Sequence, residues 1–206
     1  MRNFNLPYCT VIISVVTVIF SFYTAHDITG SFFAKVRVTD LEGYGVRLEH
    51  LIDLEFWRLL TSQIIHVKQY HMLFNVISFF ILGFFLERYI GAFKMFLLWF
   101  ISGAAGTVFG TLFGDPPWNL GTGASQAIMG VSALGILLVK QKLDTSKGLK
   151  YALAFAINPA ISLDLIFAHY PKPGHLLGFL VGLAISLLYF KFNFIRMEQY
   201  SKPCDL

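Results

Sequence analysis

A serine hydroxyl attacks a carbonyl only when a neighbouring base takes its proton, and the resulting oxyanion needs donors already in place. Four residues of this chain are of the right types: Ser125, His175, His71 and Asn75. His71 and Asn75 are spaced i, i+4, so a helix presents an imidazole and a carboxamide on one face. Ser125 follows Asn119-Leu-Gly-Thr-Gly123 and Ala124, where a helix begins, and the backbone amides of Ser125 and Gln126 are free to donate there. His175 opens an apolar run that carries Gly178 and Gly182 on the same helix face. In this reading Ser125 is the nucleophile and His175 the general base. Asn75, a neutral His71 and the two amides supply oxyanion donors, each worth roughly 3–4 kcal/mol. Taken singly the residues are unspecific: a serine at a helix start is more often an N-cap, and a histidine more often a satisfied polar group. What joins them has to come from the elements that carry them.

Those elements lie in a membrane. The chain has 206 residues, 56% of them hydrophobic and only 14% charged, with a mean hydropathy of +0.64. A single water-soluble domain of this length could not hide so much apolar surface, and 22 Phe and 9 Tyr exclude a disordered chain. The net charge of +4 is mild and no basic run with interleaved aromatics occurs, so no nucleic-acid partner is expected. Cys9 and Cys204 have no ligand spacing, so neither a disulfide framework nor a metal site is expected, and no cofactor is called for.

About 20 apolar residues cross a bilayer. Runs free of Asp, Glu, Lys and Arg occupy 3–26, 69–86, 95–114, 116–139 and 173–190, and a sixth stretch, 149–168, is interrupted by Asn158-Pro159 and Asp164. The expected fold is all-α and polytopic, one transmembrane domain over 1–206 with spans at 6–24, 70–88, 93–113, 124–140, 149–168 and 175–194. Pro159 should bend or shorten the fifth span. The first apolar run lacks a small-x-small cleavage pattern and reads as an uncleaved anchor. Residues 26–68 form a long first loop, too apolar for a linker, and read as a folded element partly in the interface with Trp57 and Arg58 at headgroup level.

With the N-terminus inside, inner segments hold Arg2, Arg88, Lys94, Lys140, Lys142, Lys147, Lys150, Lys191, Arg196 and Lys202, against six basic residues outside. The positive-inside rule then puts both termini in the cytoplasm. Spans two, four and six all run from outside to inside, so His71, Ser125 and His175 enter the same outer leaflet. A hydroxyl and two imidazoles at one depth on three helices are parts of a single nucleophile–base–oxyanion site. Gly178 and Gly182, with Gly130 on the serine helix, are the close-packing positions that let His175 reach Ser125.

At this point the sequence resembles the rhomboid family of intramembrane serine proteases. The likeness runs from Glu55-Phe-Trp57-Arg58 through Ile-His66-Val-Lys-Gln-Tyr-His71-Met-Leu-Phe-Asn75 and Glu87-Arg88-Tyr-Ile-Gly91. It continues in Gly123-Ala-Ser125-Gln-Ala-Ile-Met-Gly130 and Gly174-His175-Leu-Leu-Gly178-Phe-Leu-Val-Gly182. The resemblance implies a six-helix bundle around a water-filled cavity and a Ser125–His175 dyad with no carboxylate third member. It also implies an oxyanion site at His71 and Asn75, and a lateral gate at helix 5 and the loop before helix 6. The implied partners are transmembrane protein substrates, cut within or beside the membrane, and membrane lipids; oligomeric state is left open. A short chain with six spans resembles the family's prokaryotic cell-membrane members, with the site toward the outer face.

Two departures stand out: Gln126 replaces the usual glycine after the serine, and Pro171-Lys172-Pro173 is stiffer than the family's small residues there. The alternative reading is a catalytically silent rhomboid-like protein that binds transmembrane segments, although such relatives lose the serine or histidine. No His-Glu-x-x-His occurs, the soluble nucleophile elbow fails at Ala127, and Asp115 and Asp164 do not form an aspartyl-protease pair. His66, Tyr70, Trp57-Arg58 and Glu87-Arg88 read as structural, Gly103, Gly106 and Gly110 as packing positions, and Asp164 and His169 have no assigned role.

Overall fold

The computed structural model describes residues 6–195 and is built from helices, with no strand among those residues. Arg2, Arg196, Lys202 and Cys204 lie outside the described residues. Five helices are long and apolar enough to cross a membrane: α1 (Tyr8–Thr29), α4 (Gln69–Ile90), α5 (Ala92–Thr111), α7 (Lys147–Ala168) and α8 (Pro173–Lys191). The shorter apolar α6 (Ser125–Lys140) lies among them. Two small helices, α2 (Leu48–Ile52) and α3 (Arg58–Ile64), belong to the first loop. α1 extends further than expected and ends at Gly30, whose left-handed φ of 74° lets its amide reach back to His26 O at 2.7 Å. α7 runs through Pro159 without a break, so the proline does not shorten the span.

Around a core that includes Phe79, Leu82, Leu86, Trp99 and Leu134, several helices meet through small residues, because in lipid close van der Waals contact and polar bonds drive helix association. α1 turns Thr10, Ser14, Thr17, Ser21 and Thr24 inward and leaves Ile12, Val15, Ile19 and Tyr23 exposed. Its first turn is held by α4: the buried Glu87 carboxylate accepts from Cys9 N (3.0 Å), Thr10 N (2.9 Å) and Thr10 Oγ1 (2.7 Å). A carboxylate at a helix N-terminus satisfies amides that the helix leaves unpaired. Arg88 turns elsewhere, to Asp144 Oδ2 at 2.8 Å. The sequence-adjacent pair thus joins two different elements to α4. Asp144 lies outside the spans; burial opposes its ionisation, yet bonds from Ser146 and Arg88 hold its carboxyl below the usual range.

The first loop is a folded element with its own core of Ala25, Val36, Val38, Leu41, Ile65 and Leu120. Arg58 is turned inward, donating to Glu42 O at 2.5 Å, Gly45 O at 2.9 Å and the Glu55 carboxylate. Trp57 is exposed, with the Arg58 guanidinium 4.6 Å from its ring centre. Of the expected headgroup pair, then, the arginine instead ties the loop together. It does so because three acceptors converge on it and a buried guanidinium has to be paired. The loop in turn is stitched to the segment before α6, where Val46 and Gly121 exchange backbone bonds of 3.2 and 2.8 Å.

Candidate active site

The start of α6 is held before any side chain of the site is considered. Gly123 takes a φ of 94°, which favours glycine, and its amide donates to Ser62 O of α3 at 2.7 Å. Ala124 is the N-cap and no side chain caps the helix, so the Ser125 hydroxyl is not spent on the role a helix-start serine usually has. Ser125 Oγ lies 2.9 Å from His175 Nε2, although 50 residues separate them.

That approach depends on α8 lying against α6 almost backbone to backbone. A Cβ on Gly182 would overlap the backbone of Gly130, and one on Gly178 would overlap the carbonyl of Gln126. On the neighbouring helix, a Cβ on Gly106 would sit 2.5 Å from Gly174 O, and one on Gly103 would be 2.7 Å from Ala127 Cβ. Gly110 has ordinary contact with Gly174. The glycine positions therefore bring α5, α6 and α8 together around Ser125 and His175.

Asn75 and His71 are brought to the same end of the bundle, but a third residue organises them. Ser21 Oγ donates its single proton to Ile64 O at 2.8 Å. The 3.1 Å contact between Ser21 Oγ and His66 Nδ1 must therefore take its proton from the histidine, leaving Nε2 as an acceptor. Asn75 Nδ2 donates to that Nε2 at 3.0 Å, and the Ala124 amide approaches it at 3.4 Å. His66 lies outside the spans; its burial, with the His71 imidazole adding to it, pushes its pKa down to about 3, so it stays neutral. Asn75 Nδ2 is also 3.3 Å from His71 Nε2. The carboxamide is thus oriented with its amine toward both histidines. His66 holds this network, whereas Tyr70 is exposed.

One residue without an assigned role in the sequence reading lies directly on the base. His175 Nδ1 is 2.6 Å from Asp164 Oδ2, and both side chains are buried. The resemblance implied no carboxylate beside the pair, whereas this chain places one on His175. α7 and α8 are joined by a tight reversal and the two residues lie about one turn either side of it, which folds Asp164 back onto His175. His169 makes that reversal, capping α7 with a φ of 63°. Gln126 also touches the site, its Oε1 lying 3.3 Å from Ser125 Oγ as a second acceptor for the hydroxyl. Among the described residues no group of His, Cys, Asp and Glu is placed to hold a metal ion.

The Rhomboid domain family matches residues 53–192, which include every side chain just described except Ser21. RHOMBOID-like protein 1 of Arabidopsis thaliana is 31% identical over 150 residues, covering 71% of this chain and 36% of the relative. The rhomboid protease AarA of Providencia stuartii is 27% identical over 178 residues, covering 74% of this chain and 63% of the relative. Inactive RHOMBOID-like protein 8 of Arabidopsis thaliana is 29% identical over 103 residues, covering 50% and 29%. The chain thus spans from under a third to under two thirds of these relatives' own lengths. Its apolar helices and the match over most of its length make it an integral, multi-pass membrane protein, and the chain belongs to the rhomboid family, which includes proteases.

Proposed function

We propose that this chain is an intramembrane serine endopeptidase that cuts single-span membrane proteins within or beside their transmembrane segment. The observation that carries the reading is the 2.9 Å approach of His175 Nε2 to Ser125 Oγ, beside donors on a third helix. As Ser125 Oγ bonds to the scissile carbonyl carbon, its proton passes to His175 Nε2. The amides of Ser125 and Gln126 take up the charge on the carbonyl oxygen, and Asn75 joins them as its longer N–H contact, 3.3 Å to His71 Nε2, is exchanged for that oxygen, with His71 beside it. Collapse breaks the C–N bond, and the proton on Nε2 goes to the leaving amine. Water then repeats the attack on the acyl-enzyme with His175 as base. Gly130, Gly178 and Gly182 have a packing role: they hold the two reacting helices at this distance.

The excess of basic residues on the segments assigned inside supports cytoplasmic termini and a site toward the outer face, while placement in a prokaryotic cell membrane rests only on resemblance to the family's short six-span members. One observation favours a second reading, a silent protein that binds transmembrane segments: Gln126 Oε1 competes for the Ser125 proton. That contact, at 3.3 Å, is the longer of the two. Fluorophosphonate labelling of the solubilised protein decides between them. Labelling of the wild type and not of Ser125→Ala or His175→Ala is expected, and a folded wild type that takes no label removes the protease reading.

A further inference from the structure

Building on the protease reading, we propose that Asp164 is a positioning residue that makes Ser125 and His175 a three-membered relay and ties that relay to the seating of the C-terminal half of α7. Three observations carry this. The His175 ring and the Asp164 carboxylate meet at 2.6 Å, with side-chain exposures of 8% and 1%. A carboxylate so placed in an apolar helix is expensive unless it is paired, and its partner here is the imidazole that faces Ser125. Second, the Lys172 amide donates to the same oxygen, Oδ2, at 3.0 Å, while Lys172 Nζ stands 3.5 Å from Oδ1. The reversal before α8 therefore fixes which oxygen the histidine meets. Third, beyond Ala156 the sole buried residue of α7 is Asp164. Its neighbours Leu163, Leu165, Ile166 and Phe167 are 47–78% exposed. The one fully buried side chain of that half-helix is thus the carboxylate, with Ile157 partly buried against the core at its start.

The chemical consequence follows from proton bookkeeping at the ring. With Nδ1–H donated to Asp164, the other nitrogen carries the lone pair, and that lone pair points at Ser125. When the serine proton moves to Nε2, the imidazolium forms beside an ionised carboxylate, which stays ionised throughout. The proton on Nε2 later leaves with the amine; Nδ1–H and the carboxylate are unchanged over the cycle. If the end of α7 moves away, His175 loses the partner that sets its tautomer, and the relay is broken with Ser125 still in place.

Both donors converge on Oδ2, so Asp164→Asn can keep the two hydrogen bonds with its carbonyl oxygen while losing the charge. Asp164→Ala loses both. The experiment measures kcat and KM for a single-span substrate in proteoliposomes with wild type, both variants, and the alanine variant in added formate. The expected result is a kcat lower by roughly tenfold or more in Asp164→Asn and by roughly a hundredfold or more in Asp164→Ala, with the roughly 10⁴-fold loss of a serine–histidine pair stripped of its orienting carboxylate as the upper bound. KM should stay within about threefold, and formate should partly restore the alanine variant only. A kcat within twofold of wild type in both variants overturns the proposal and leaves the protease reading standing. So does a loss that formate does not relieve and that follows a lowered thermal midpoint, since that is a folding role. A folded wild type that neither cleaves nor takes a fluorophosphonate label removes the protease reading and this inference together.

Discussion

α8 carries His175 to Ser125 and α7 carries Asp164 to His175, and the two helices are attached to the bundle in opposite ways. α8 lies against α5 and α6 through Gly174, Gly178 and Gly182, with backbone where side chains would normally intervene. α7 is seated by Leu149, Ala152, Leu153 and Ala156 in its first half and by Asp164 in its second. His175 therefore sits on a helix packed backbone to backbone, and Asp164 on a half-helix with no other fully buried side chain. On the proposed reading, the close α6–α8 contact protects the Ser125–His175 distance that attack depends on, since misplacement by about 1 Å can lower a rate by roughly a hundredfold. A polar contact on an otherwise exposed half-helix can be made and broken without unpacking a core.

The sharpest way to break the contrast is to force α8 away. Gly182→Val and Gly178→Val would drive side-chain atoms into the backbone of Gly130 and Gln126, which cannot yield as a flexible side chain would. Cleavage should fall by roughly a hundredfold or more, with about 1–3 kcal/mol lost in thermal or denaturant unfolding. Wild-type activity in both variants would show that the close approach is not what sets the Ser125–His175 distance. Asn75→Ala tests the third helix, α4, which brings neither nucleophile nor base: a fall in kcat of about 10²–10³ is expected, as for loss of one oxyanion donor. A change in KM alone would assign Asn75 to substrate binding instead.

A smaller effect should come from acid, through His66. Its pKa is lowered in the folded protein to about 3, whereas the unfolded chain takes up the proton near the ordinary value of 6.5. The stability it confers is complete above about 6.5 and drains away as the pH falls toward 3. The thermal midpoint in detergent should drop between pH 7 and pH 4, and His66→Asn should flatten that slope. A slope unchanged in the variant would assign the acid sensitivity to other groups. The smallest effect belongs to the outer surface of α7. Leu165→Ala and Phe167→Ala, at 48% and 78% exposure, should change unfolding by no more than about 0.5 kcal/mol. A loss of several times that amount would mean the half-helix is packed after all.

Much of this is legible in the chain alone, and the rest follows a pattern. Hydropathy alone located the long helices, because their length is set by the bilayer. Ser125, His175, His71 and Asn75 could be gathered into one site because helix direction gave them a common depth, which needs no knowledge of packing. Asp164 was hidden for the opposite reason. It interrupts an apolar run, so it reads as a flaw in a span until the reversal at His169 is seen to fold it back onto His175. His66 and Ser21 are 45 residues apart and meet only through the packing of α1 on the first loop, which no spacing rule reports. The pairing of Glu87 with α1 and of Arg88 with Asp144 was equally beyond reach, since adjacent opposite charges look like partners of each other.

The most direct test of the central claim is cleavage of single-span reporter proteins by the purified chain in proteoliposomes, with the products identified by mass. Wild type should cut at a site within or beside the transmembrane segment, while Ser125→Ala and His175→Ala, both folded, should fall to background. Equal cleavage by wild type and Ser125→Ala, or none by a wild type that is folded and correctly inserted, would contradict the account.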